Sequence, residues 1–163
     1  KTVPVLVDGD KAIQGSDLIL EYLRDNHARG FYGDPVWGLT RRLQGEAFDA
    51  VDRRVRAGLA SRGMGVLTEI DVSATLKKKL DVDFPRYSIL GACHPASAYE
   101  ALSEEPGVGL LLPCNVVITE ESNGDVVVSA LNPTIAFKLL NNPDIEGVAS
   151  TVADLLEGML AEL

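Results

Sequence analysis

An α+β fold, with a largely antiparallel sheet and helices packed on one side, is what this sequence predicts, and three observations predict it. Short apolar strand patterns alternate with amphipathic helical stretches along the chain. Turn signals of the hairpin kind, Asp8-Gly9-Asp10 near the start and Ser122-Asn123-Gly124 near the end, join strands that must run antiparallel. Apolar residues fill 46% of the 163 positions, enough for a real core at this size.

The elements follow in order. "VPVLVDGDKAI" reads as two short strands around the Asp-Gly turn. Ser16 or Gly15 then caps a helix that carries Leu18, Ile19, Tyr22 and Leu23 on one face. Gly, Pro and Asp cluster between Asn26 and Pro35, which marks a boundary between residues 1–30 and a second unit, 37–163. In that second unit "GLTRRLQG" is a strand candidate. "EAFDAVDRRVRAGLASRG" is a helix with Phe48, Val51, Val55 and Leu59 in one stripe and Gly63 as its stop. "GVLTEI" is a strand, and Asp71 or Ser73 caps a short helix through Leu80. "RYSILGA" is a further strand, Pro95 opens a helix to about Glu105, and Pro106-Gly107 ends it. "VGLLL", "NVVITEE" and "DVVVSAL" supply the remaining strands. A last helix aligns Ile145, Val148, Val152, Leu155, Leu156 and Met159.

Composition excludes several functions. A formal charge of -9 opposes non-specific nucleic-acid binding, which depends on neutralising phosphates. No apolar run reaches the roughly 18 residues that would span a bilayer, and no secretory signal pattern opens the chain. The first residue is Lys rather than Met, so a missing natural N-terminus is expected. Two cysteines are too few for a secreted disulfide scaffold. The expected location is cytoplasmic, with neither nucleic acid nor membrane as partner. Basic residues outnumber acidic ones between Arg41 and Lys79, whereas Lys138 is the only base from Glu120 to Leu163.

Two resemblances add to this reading. Thr2-Val3-Pro4 and Gln14-Gly15-Ser16-Asp17 resemble the second half of a glutaredoxin, and a glutathione S-transferase N-terminal domain shares the same half-motif. The resemblance implies a partial thioredoxin-like strand–strand–helix unit with a cis bond before Pro4. It also implies that Val3 and Pro4 pair with the cysteinyl part of glutathione, and that Gly15, Ser16 and Asp17 hold its γ-glutamyl end. A helix N-terminus with free N–H groups suits such a carboxylate. The glutaredoxin first strand, active-site cysteine and first helix have no counterpart here, and Gln14 replaces a glycine. Glutathione is therefore the one candidate ligand, and no tightly bound cofactor is expected. From about Trp37 onward, "GMGVLTEIDVSATLKKKL", "YSILGACHP" and "GLLLPCNVV" resemble the family called Domain of Unknown Function 302. That likeness implies a compact α+β domain, often dimeric, and so a homodimer.

The candidate chemistry centres on the two cysteines. If Pro95 opens a helix, Cys93 lies just before its first turn, where unpaired N–H groups favour a thiolate. The alternative is a small apolar residue at a strand end, since free cysteine is among the most buried types. Cys114, after Pro113, has no local activator, and its role turns on its position relative to Cys93. A carboxylate at Glu69 would act as general base if it reached the thiol. Cys93, His94 and Cys114 make a poor metal site, because adjacent ligands have awkward geometry and a fourth is not evident. The expectation is a thiol protein of sulfur or redox metabolism, working by thiol–disulfide exchange or sulfane-sulfur transfer through Cys93, with Cys114 assisting. A sulfur-carrier or thiol redox protein is the expected partner. The other reading is a non-enzymatic ligand-binding or dimerisation module with structural cysteines.

Overall fold

The computed structural model describes residues 5–8, 11–14 and 37–163, the first two stretches through their backbone alone. The chain divides into two compact units, residues 1–35 and 36–163. In the first, β1 (Val5–Asp8) pairs antiparallel with β2 (Lys11–Gln14), Asp8 opposite Lys11 and Val5 opposite Gln14. That is the hairpin expected from the Asp-Gly signal. The helix expected after Ser16, the cis bond expected before Pro4, and the glutathione contacts assigned to Val3, Pro4, Gly15, Ser16 and Asp17 lie outside the described residues.

The second unit is α+β. Its sheet has the order β3-β7-β6-β5-β4, every neighbouring pair antiparallel. The strands are β3 (Gly38–Leu43), β4 (Gly65–Asp71), β5 (Tyr87–Cys93), β6 (Cys114–Glu120) and β7 (Val126–Leu131). The helices are α1 (Phe48–Ala60), α2 (Val72–Leu80), α3 (Pro95–Glu104), the single turn α4 (Pro133–Ala136) and α5 (Glu146–Ala161).

The core forms where helix period and strand period meet. Phe48, Val51, Val55 and Leu59 recur at helical spacing and are all buried on α1. Leu90 and Ala92 of β5, Val116 and Ile118 of β6, and Val126, Val128 and Ala130 of β7 alternate along their strands and fill the same cluster. Burying each such aliphatic side chain contributes roughly 1.5–3 kcal/mol. Gly58 of α1 lets α5 approach closely, since a Cβ there would press on Met159 Cγ.

One strand expectation fails. "VGLLL" is a 3-10 helix over Pro106–Leu111, not a strand. Glu105 accepts a hydrogen bond from the Gly107 N–H at 3.0 Å and caps this turn, with Pro106 at its first position. Five apolar residues in a row carry no period, so helical and extended readings are equal on pattern alone and the cap decides. Leu112 and a cis Pro113 then lead into β6.

Position 91 is where β4, β5 and the approach to β6 close together. A β-bulge between Val66 and Thr68 shifts the register so that Thr68 faces Gly91. A Cβ at Gly91 would collide with Thr68 Oγ1 on one side and Pro113 Cγ on the other. Only glycine fits between them. Gly91→Ala is expected to cost about 1–3 kcal/mol, as overpacking does. Denaturant melts of the two proteins check this, with a lowered midpoint at unchanged slope as the expected result.

Candidate functional site

The register of the central strands builds the site. Ala92 of β5 sits opposite Cys114 of β6, so Cys93 lies one residue beyond that pair at the end of its strand. Across the other edge of β5, Cys93 faces Gly65 of β4. With "VGLLL" a 3-10 helix rather than a strand, Cys114 begins β6, and its juxtaposition with Cys93 arises from the β5–β6 hydrogen-bond ladder.

Both cysteines belong to the wall of one small pocket between the ends of β5 and β6 and the helices α3 and α5. Its free volume is about 20 Å³, and Ser97, Ala101, Phe137 and Val152 complete much of the wall. This is room on the scale of one or two atoms rather than of a metabolite. Cys114 is buried and Cys93 is partly exposed. Neither forms a disulfide.

His94 and Ser97 shape the mouth. The ring Nδ1 of His94 accepts from the Ser97 backbone N–H at 3.4 Å and lies 2.9 Å from Ser97 Oγ. Both Ser97 groups donate to the same nitrogen, which places the imidazole proton on Nε2. His94 is thereby the N-cap of α3, and its backbone carbonyl accepts from Ala98 N–H at 2.9 Å. Sequence alone does not single out His94 and Ser97 as a helix cap. The signal was present as His-Pro-x-Ser, a capping residue three positions before a small hydroxyl residue, but histidine is an uncommon cap.

The electrostatics correct one expectation. Cys93 was expected to have a depressed pKa from the α3 N-terminus; burial instead pushes its thiol above the ordinary value. In the first turn of α3 the Ser97 and Ala98 N–H groups are taken by His94, and Pro95 has none, which leaves less of the helix end to stabilise a thiolate. Cys114 is pushed further, to about 11, mainly by burial and then by the neighbouring Cys93. At neutral pH both groups are thiols.

Glu69 does not join the site. It sits opposite Leu90, three residues along β5 from Cys93, which is about 10 Å of strand. Its carboxylate is held by Arg56 in a two-point bond, Nη1 to Oε2 at 3.0 Å and Nη2 to Oε1 at 2.7 Å. Arg56 also donates from Nε to Asp52 at 2.8 Å. A carboxylate clamped this way ties β4 to α1 and is not a base for a distant thiol. Asp71 is the N-cap of α2, its Oδ1 accepting from Ala74 N–H at 2.8 Å. Among the described residues, three or more His, Cys, Asp or Glu side chains nowhere gather as a metal site.

Residues 1–31 match the glutathione S-transferase N-terminal domain. None of the curated proteins searched matches the chain. A solved structure described as "uncharacterized conserved protein DUF302 from Bacillus stearothermophilus" is 26% identical, with a TM-score of 0.72, over 78% of this chain and 98% of that one. Residues 39–163, the sheet and helices that carry both cysteines, match the family described as Domain of unknown function DUF302, and the chain belongs to that family.

Proposed function

We propose that this chain is a thiol protein of sulfur or redox metabolism in which Cys93 is the accessible thiol and Cys114 its buried neighbour. One observation carries the reading: the β5–β6 register brings two cysteines of unequal exposure to one pocket. In sulfane-sulfur transfer, deprotonated Cys93 attacks the terminal sulfur of a polysulfide. The donor S–S bond breaks, a Cys93 persulfide forms, the polysulfide shortened by one sulfur leaves as its anion, and the proton from Cys93 passes to solvent.

Thiol–disulfide exchange is the less supported branch. Strand spacing and rise put the two Cα atoms about 6 Å apart, inside the span a disulfide bridges. Alternation along β5, however, starts the side chain of Cys93 toward the face opposite Ala92 and Cys114. Closing that bond requires the strand end to turn. Persulfide formation on Cys93 requires no closure between the two cysteines.

The second reading, a binding or dimerisation module with packed cysteines, draws on the raised thiol pKa values and the apolar wall. A homodimer forms part of either proposal. Leu67 and Ile70 on edge strand β4, with Leu80 at the end of α2 and Val82 and Phe84 after it, are large apolar side chains left exposed and suited to a second copy of the chain. The working location proposed is the cytoplasm, and no helix among the described residues is long and apolar enough to cross a membrane. A sulfur-carrier or thiol redox protein is the proposed macromolecular partner, and glutathione is the proposed ligand of residues 1–31.

Three measurements test these proposals. Alkylation of Cys93 should be slower at pH 7 than that of a free cysteine and should rise about tenfold per pH unit until its raised pKa is passed. Cys114 should stay inert until pH approaches about 11 or the protein unfolds. After incubation with polysulfide, mass spectrometry should find added sulfur on the peptide holding Cys93; Cys93→Ser should abolish it and Cys114→Ser should slow it. Two inert, unloaded cysteines would favour the binding module. Calorimetry with glutathione should give heat that Asp17→Ala removes, and silence from both proteins would leave residues 1–31 without that ligand.

A further inference from the structure

A second, larger space opens on the far side of Phe137. This cleft, about 700 Å³, lies between the turn after α4 and the first turn of α5. That is within the range of sites that hold small metabolites. Its floor is apolar: Phe137, Ile145 and Ala149 are buried there. Its rim is not. Lys138, Asn141, Glu146 and Ser150 border the same space.

The rim polar groups differ from their neighbours. Thr134 and Asn142, also at the cleft, have partnered side chains: Thr134 Oγ1 donates to Asn132 Oδ1 at 2.7 Å, Asn142 Oδ1 accepts from Asp144 N–H at 3.0 Å, and Asn142 Nδ2 donates to Glu105 Oε2 at 3.4 Å. The side chains of Lys138, Asn141, Glu146 and Ser150 make no hydrogen bond or ion pair among the described residues. Lys138 is the only Lys or Arg between Glu120 and Leu163, in a stretch with many carboxylates. It nonetheless stands at the cleft beside Glu146 without forming an ion pair with it. Opposite charges that share a cleft and stay apart leave a gap that a molecule with both charges can bridge.

We propose that this cleft binds a small zwitterion of the α-amino-acid class. The ligand carboxylate meets Lys138, its ammonium meets Glu146, and an apolar side chain rests on the wall formed by Pro143, Phe137 and Ala149 above the buried Ile145. The proposal is independent of the thiol chemistry. Each charged end contributes a charge-assisted hydrogen bond, so removing one end should weaken binding roughly tenfold.

The test uses the full chain, isotope-labelled, with three probes: L-leucine, L-leucinamide without the carboxylate, and N-acetyl-L-leucine without the ammonium. Leucine should give saturable amide shifts centred on residues 134–150, and each derivative should bind roughly tenfold more weakly. Lys138→Met should bind leucine and leucinamide alike, and Glu146→Gln should bind leucine and N-acetyl-leucine alike. Both side chains are exposed, and a melting curve for each variant confirms that the fold is intact. Absence of saturable shifts up to about 10 mM, shifts centred elsewhere, or equal binding of all three probes to the wild-type chain would overturn the proposal.

Discussion

The antiparallel ladder between β5 and β6 is the interaction on which the second unit depends. It fixes the centre of the sheet, aligns Leu90 and Ala92 with Val116 and Cys114 on the helix side, and sets the entry to α3 just past its end. A slip of one residue in that register would turn every one of these side chains to the opposite face. Gly91 guards against such a slip. Thr68 and Pro113 converge over it, so only one alignment places the residue without a side chain beneath both.

The site shows how burial and helix-end electrostatics compete. A cysteine before a helix gains from free N–H groups only if those groups point at the sulfur. Here the His94 ring takes the capping role, and desolvation is left to set the thiol's behaviour. The same economy governs the charged surface. Arg56 binds Asp52 and Glu69 together, Arg42 meets Glu121, and Arg86 lies over the Phe48 ring while meeting Asp49. Between Arg41 and Lys79, Arg42, Arg54, Arg56, Arg62 and Lys77 pair with carboxylates of this chain, five of the nine bases there, which suits the solvated-face reading better than a patch for an anionic partner.

Much of the fold was legible in the sequence because its signals are local. The stripe on α1, the Asp71 cap and the Pro95 start are each complete within a dozen residues, and each is seen in the structure. "VGLLL" was misread because a run without period gives no vote between strand and helix, and the deciding cap, Glu105, lies outside it. The site was half legible. Cys93 and Cys114 were singled out by type, but their adjacency is a property of register between segments some twenty residues apart. Glu69 was misplaced for the same reason: its partner Arg56 comes from α1, and nothing near Glu69 in sequence announces it. Phe137 and Val152 reach the cysteine pocket only through tertiary packing, with no local signature.

Phe137 has a consequence for how the molecule responds to what it holds. Its ring is one face of the narrow space beside the cysteines and also one face of the wide cleft under Lys138. A shared wall is a mechanical linkage. A guest that turned this side chain in one compartment would change the shape of the other, and by thermodynamic reciprocity such an influence would run equally in both directions. Two spaces that look separate on the surface therefore share a single residue within.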